Sequence, residues 1–166
     1  MPRPAWSQGR CWPRKKARRP RRLTEPLAVA LPLAPEDDAL IEAAVAALGR
    51  HFHPLRHRLA AAVRDREGHI YTGLHLGATV GRLSVCAEAV ALGRALLEGK
   101  GGIAVVVAVR HPKPDEACTE PEVVPPCGAC REMFADHAPD ALVILPGPEG
   151  LVRLPAALLL PLPYQR

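Results

Sequence analysis

Two short segments hold the residue types that could do chemistry in this chain: Cys86-Ala87-Glu88 and Pro126-Cys127-Gly128-Ala129-Cys130. Each stands where an apolar helical pattern begins. The first backbone N–H groups of a helix have no intrahelical partner and that end of the dipole is positive, so thiolates are favoured there. Three such sulfurs form a ready ligand set for zinc. Three protein ligands leave a fourth position for water, as in catalytic sites, whereas a structural zinc is closed by four. Zinc lowers the pKa of such a water to about 7. Glu88, two residues beyond Cys86, is placed to move protons while free not to ligate. A structural zinc would draw its fourth ligand from His75 or Cys118, and ordinary buried cysteines are the plain alternative to any metal.

With Cys-Ala-Glu upstream of Pro-Cys-x-x-Cys, the sequence resembles the cytidine deaminase family in its three-cysteine branch, with some likeness to blasticidin S deaminase. The likeness runs from about residue 36 to the end. It takes in Gly68-His69-Ile70-Tyr71-Thr72-Gly73, both cysteine segments, Arg131 after Cys130, and Leu159-Leu160-Pro161 with Tyr164 three residues later. The resemblance implies an α/β, three-layer deaminase fold with a mixed five-stranded sheet between helices. It also implies one zinc per chain on Cys86, Cys127 and Cys130, Glu88 as proton carrier, and a homotetramer whose sites neighbouring subunits complete. The implied reaction is hydrolytic release of ammonia from a small-molecule aminopyrimidine, cytidine or deoxycytidine, as in pyrimidine salvage.

Several departures bear on the substrate. The family's Asn-Val-Glu-Asn segment, whose first Asn and Glu hold the ribose hydroxyl, is His75-Leu76-Gly77-Ala78 here. His75 can still hydrogen-bond; Gly77 cannot, and a lost buried bond of this kind costs about 1 to 3 kcal/mol. The aromatic residue that opens the family's first strand is replaced by His57, which leaves His57 or Tyr164 to stack on the base. These changes favour the same chemistry on a blasticidin-S-type antibiotic, a modified nucleoside or a free base. Ala89 stands where the family often has Arg, so Arg82 or Arg131 is left to offset the thiolate charge.

The elements that must position these residues are legible as patterns. Leu40, Ile41, Ala44, Val45 and Leu48 recur at helical spacing behind Pro35-Glu36-Asp37-Asp38. Segments 57–63 and 69–76 flank the polar Arg64–Gly68 and read as a hairpin. A second helix is expected from an N-cap at Ser84 to Leu97. The β-branched run Ile103–Val109 reads as a strand buried on both faces, and the proline-rich stretch His111–Pro126 as a surface loop. A short helix over about Gly128–His137, strands at Ala141–Leu145 and Leu151–Leu154, and a last helix at Ala156–Leu160 complete the order α-β-β-α-β-α-β-β-α.

The 166 residues, 48% of them hydrophobic, suffice for one core. The net charge of +5 is unevenly spread. Residues 1–24 hold nine Lys/Arg and no acid, while the other 13 basic and 17 acidic residues leave the body at −4. The expected organisation is therefore a basic, disordered Pro/Arg-rich tail over 1–24 and a zinc-dependent deaminase domain over 25–166. An acidic body argues against a phosphate-tracking groove, so a nucleic-acid partner is not expected. An editing enzyme clamping RNA or DNA with that tail, its Trp6 and Trp12 stacking on bases, is the corresponding rival. No apolar run approaches the roughly 18 residues of a membrane span. The start carries no apolar signal core, and the Cys-x-x-Cys spacing among five cysteines suits a metal better than disulfides. A soluble, cytoplasmic protein is the expectation, with a non-catalytic interaction protein built on a structural zinc as the reading from another class.

Overall fold

Side chains alternate between the two faces of a strand, and that alternation sets the layers here. The computed structural model describes residues 29–116 and 118–164; the basic tail over 1–24, with Trp6, Cys11 and Trp12, lies outside the described residues. In β3 (Ile103–Arg110), Val105, Val107 and Val109 pack with α1 (Asp37–His51) through Leu40, Ile41, Ala44, Ala47 and Leu48. Val106 and Ala108 join the opposite layer, formed by Ala87, Ala91, Leu92 and Ala95 of α2 (Ala87–Glu98) and by Cys130 and Phe134 of α3 (Gly128–His137). β1 (Leu59–Asp65) divides likewise, Ala60 and Ala62 toward α1, Ala61 and Val63 toward α2. The result is the expected helix–sheet–helix sandwich, with β3 buried on both faces.

The sheet runs β2 (Ile70–Leu74), β1, β3, β5 (Leu142–Pro146), β6 (Leu151–Pro155). Every pairing along it is antiparallel except β3 with β5. A sixth strand corrects the expected five: β4 (Glu122–Val123) pairs with Val109 and Arg110, beyond the Val105–Val107 stretch of β3 that β5 occupies. Its two residues come from the stretch read as loop, and their extended form depends on that free edge. The expected last helix is a single 3₁₀ turn, Ala156–Leu159. Nor does Ser84 cap α2; its Oγ accepts the Ala78 N–H at 3.0 Å, and Cys86 takes the N-cap place.

Two polar knots hold the periphery. Buried Asp37 accepts bonds from the Ala34 N–H at 2.8 Å and from Arg64 at 2.9 Å, with Arg153 Nε at 3.5 Å. Asp65 closes the β1–β2 hairpin, accepting the N–H groups of Glu67 and His69, the His69 ring and the Tyr71 hydroxyl. Burial opposes its ionisation, yet those donors hold its carboxyl below the ordinary value. Asp65, Glu67 and His69 gather ligand-type atoms, but the Asp65 oxygens are already engaged within the hairpin.

The helix that carries Cys86 and Glu88 lies directly on β2. A Cβ added to Gly73 would stand 2.4 Å from Ala91 N and 2.7 Å from Ala87 O, both backbone atoms that cannot yield cheaply. Gly73→Ala should accordingly lower stability by about 1 to 3 kcal/mol. Gly93→Ala, on the same helix with nothing within 4 Å, should raise it by up to about 1 kcal/mol. Denaturant midpoints of the two variants check this, and equal midpoints would refute the close approach.

Candidate metal centre and active site

The chain leaves β2 at Leu74 and β3 at Arg110 on the same end of the sheet, since Ala60 pairs with Leu74 and Leu59 with Arg110. Beyond β2, Leu76 and Val85 exchange two backbone bonds of 3.0 Å, which draws His75–Gly77 alongside the start of α2. Beyond β3, the chain passes through β4 and reaches buried Pro126 and then α3. Both helix N-termini therefore meet at one end. Cys86 Sγ lies 3.6 Å from Cys127 Sγ, which lies 3.5 Å from Cys130 Sγ, and all three sulfurs fall within 4.8 Å of one another. Tetrahedral Zn–S bonds of about 2.3 Å set sulfurs roughly 3.8 Å apart, so the donor set fits zinc closely.

Cys86 and Cys127 occupy the N-cap positions of α2 and α3, and Cys130 sits within the first turn of α3. Exposure falls from Cys127 (exposed) through Cys86 (intermediate) to Cys130 (buried). Burial pushes the Cys130 thiol far up, and the negative charges of Glu88 and the neighbouring sulfurs add to the effect. Cys86 is also raised, by burial first and then by Cys127 and Glu88. At Cys127 burial works in the same direction, but the backbone N–H of Cys130, the thiols of Cys130 and Cys86 and the backbone N–H of Ala129 together prevail and hold the thiol below its ordinary value. Glu88 itself is 5% exposed, in the first turn of α2, and its charge is felt at both Cys86 and Cys130.

His57 and His75 come together. The His75 carbonyl can only accept, so at 2.8 Å it is the His57 Nδ1 that donates. His75 Nδ1 is buried without a hydrogen-bond partner. Tyr164 stands 80% exposed in the C-terminal segment. Arg131 donates to the carbonyls of Pro126 at 3.0 Å and Leu159 at 3.4 Å, bracing the first turn of α3 against the 3₁₀ turn. Arg82 is exposed on the turn Gly81–Leu83. Cys118 contacts the Glu120 carbonyl and stands outside the sulfur triplet, and His51, His53 and His57 form no ligand group among the described residues.

Two features were not anticipated. Phe52 stacks on His111 with centroids 3.8 Å apart, at the end of β3. The turn 53–57 is also latched to 75–77: the Gly77 N–H donates to Arg56 O at 2.8 Å, and Arg56 Nη1 donates back to Gly77 O at 3.1 Å. A glycine at the substituted family position was the only sequence signal for this contact. Neither of two open clefts, of 450 and 320 Å³, is lined by a cysteine of the triplet or by Glu88.

Comparison with known proteins agrees with this architecture. The chain is 38% identical to blasticidin-S deaminase of Bacillus cereus over 134 residues, 81% of this chain and 96% of the relative. It is 31% identical to cytidine deaminase of Halalkalibacterium halodurans over 110 residues, 66% and 77% of the two chains. The 1.6 Å crystal structure of cytidine deaminase from Burkholderia pseudomallei superposes with a TM-score of 0.60 at 31% identity, covering 76% of this chain and 97% of that one. No family model matches the sequence. The shared class is hydrolytic deaminases, which open a C–N bond. Within it, the chain belongs to the cytidine deaminase family, with blasticidin S deaminase among its relatives.

The unequal thiols yield a direct expectation. A thiolate is the species that alkylates. After exhaustive chelation, iodoacetamide near neutral pH should therefore modify Cys127 first and Cys130 last among the three, read by peptide mass spectrometry. Equal rates would contradict the assigned environments.

Proposed function

We propose that this chain is a zinc-dependent hydrolytic deaminase of a cytosine-type amine, with Cys86, Cys127 and Cys130 holding the metal and Glu88 moving the protons. The observation that carries the reading is the convergence of three sulfurs at two helix N-termini beside a buried carboxylate. When bound, zinc supplies a Lewis acid that brings water to ionisation near neutral pH. Glu88 accepts one proton from the attacking water as its oxygen bonds to the ring carbon bearing the amine, and passes it to the adjacent ring nitrogen. It then carries the remaining hydroxyl proton to the amine. The exocyclic C–N bond breaks, ammonia leaves, and the ring keeps a carbonyl. A carboxylate shielded from bulk water is suited to both transfers. The sulfur group includes neither His75 nor Cys118, which favours an open metal position over a closed structural site.

Cytidine and deoxycytidine are the default substrates, with His75, His57 and Tyr164 as contacts. His75 supports this through its unpartnered buried nitrogen, which could take a bond from substrate. The second reading, a blasticidin-S-type substrate or other altered cytosine compound, is favoured by Gly77. A Cβ there would stand 2.9 Å from Leu55 O, so the acid that the resemblance leads one to seek has no room. The assembly we propose is a homotetramer. Leu76, Val80, Leu83 and Val85 near the sulfurs are 39 to 65% exposed, an apolar rim suited to burial against another copy. No helix among the described residues is long and apolar enough to cross a membrane, and cytoplasmic residence with a solvated tail over 1–24 completes the proposal.

The decisive assay is ammonia release from cytidine, deoxycytidine, cytosine and blasticidin S by zinc-quantified protein. Glu88→Gln should reduce turnover by about 10²- to 10⁴-fold while zinc stays near one per chain. Full activity in that variant would sink the proton-carrier role. Unchanged zinc content in Cys127→Ala would sink the ligand assignment.

A further inference from the structure

The three sulfurs are not held alike. Cys130 is fully buried in the layer that α2 and α3 build on the sheet, and Cys86 packs against that layer. Cys127 is exposed and belongs to neither apolar cluster. Yet its sulfur is the one that reaches both others, 3.6 Å from Cys86 and 3.5 Å from Cys130. A ligand with so little packing around it has to be held through its backbone.

Arg131 supplies that hold from both sides of Cys127. Its backbone N–H donates to the Cys127 carbonyl at 3.0 Å, the bond that closes the first turn of α3. Its side chain turns back, and Nε donates to the Pro126 carbonyl at 3.0 Å. That carbonyl precedes the N-cap, so the helix offers it no partner. Pro126 is buried, where an unpaired carbonyl is costly. Because a peptide group is planar, holding the Pro126 oxygen also holds the Cys127 nitrogen. One residue thus fixes the two peptide planes that flank the Cys127 Cα, and with them its φ of −69° and ψ of 170°. Those angles set the direction in which the thiol side chain leaves the backbone.

The guanidinium is itself tied down. Nη1 donates to the Leu159 carbonyl at 3.4 Å, in the turn Ala156–Leu159. Ala156 of that turn is fully buried, and its N–H donates to Ala141 O at 2.8 Å. Two carbonyls on separate segments suit the rigid fork of arginine, which the single nitrogen of a lysine does not reproduce. Among the described residues Arg131 makes no ion pair with an acid and no bond to a sulfur. Its contacts act on geometry.

We propose that Arg131 is a positioning residue of the metal centre, presetting the exposed Cys127 sulfur toward the other two by gripping both peptide groups around it. The inference rests on the zinc reading and adds the residue that keeps the least packed ligand in place. Residues that orient metal ligands are worth about 10- to 100-fold in metal affinity.

The test compares the full chain with Arg131→Gln and Arg131→Lys. Zinc affinity is measured by chelator competition, the sulfur-to-metal absorption bands after cobalt(II) substitution, and the rate at which iodoacetamide modifies each cysteine of the zinc-loaded protein. Arg131→Gln should lose about 10- to 100-fold in zinc affinity, weaken the cobalt bands, and expose Cys127 to alkylation while Cys86 and Cys130 stay protected. Arg131→Lys, which keeps the charge but loses the fork, should recover only part of the affinity. If the Gln variant does not fold, the Lys variant carries the test alone. Full affinity in Arg131→Lys overturns the inference, since charge would then suffice. So does a lowered denaturation midpoint in Arg131→Gln with zinc affinity and Cys127 protection unchanged, the mark of a role in folding only. A wild-type chain that shows no sulfur-to-cobalt bands would instead fail the zinc reading itself, and the inference with it.

Discussion

Three cysteine sulfurs and a carboxylate in one small volume oppose one another's ionisation, and most of this fold can be understood as the means of holding them there. Burial disfavours ionisation of Cys86 and Cys130, and the charge of Glu88 adds to the penalty. The compensation within the protein is the positive end of two helices, whose first N–H groups have no other partner. Its effect is visible at Cys127, where the N–H groups of Cys130 and Ala129, with the thiols of Cys130 and Cys86, outweigh burial. A doubly charged cation on the three sulfurs, as proposed above, would balance what remains and tie their ionisation to metal binding.

Bringing two helix ends together demands close backbone approach, and small residues permit it. Gly73 lets α2 rest on β2, while Ala60, Ala61 and Ala62 leave both faces of β1 thin enough for helices above and below. The larger side chains sit where spacing is less critical, with Phe134 under α3 and Leu40, Ile41 and Leu48 under α1. Close packing of this kind tolerates little added volume. The Asp37–Arg64–Arg153 knot works at the opposite side, fixing the start of α1 to β1 and β6, so the helical layer and the sheet keep their relation.

Around the sulfurs the protein changes character. The core is aliphatic and filled, whereas the rim exposes cations and apolar side chains side by side. Gly77 illustrates how a backbone contact can shape recognition. Its missing side chain removes one hydrogen-bonding group and admits the 53–57 turn, whose guanidinium then stands at the same edge. The proposed metal ligands and the proposed substrate contacts thus lie on different segments, an arrangement by which one catalytic core can serve different substrates.

The sequence by itself determined the local facts. Cys-Ala-Glu and Pro-Cys-x-x-Cys could be read as helix starts because caps and first turns depend on neighbouring residues alone. β3 was legible as a strand buried on both faces because a β-branched run of that length has few other places to go. Only tertiary structure decided the rest. β4 exists because β5 leaves the end of β3 unpaired, which no property of Glu122 and Val123 announces. Asp37, readable as a first-turn acid, is buried between arginines 27 and 116 positions away in the sequence. Ser84 lost its capping role to a loop bond with Ala78, and Arg56 met Gly77 across 21 residues. Each of these depends on groups distant in sequence and adjacent in space, and such adjacency is fixed only when the whole sheet and its covering helices pack.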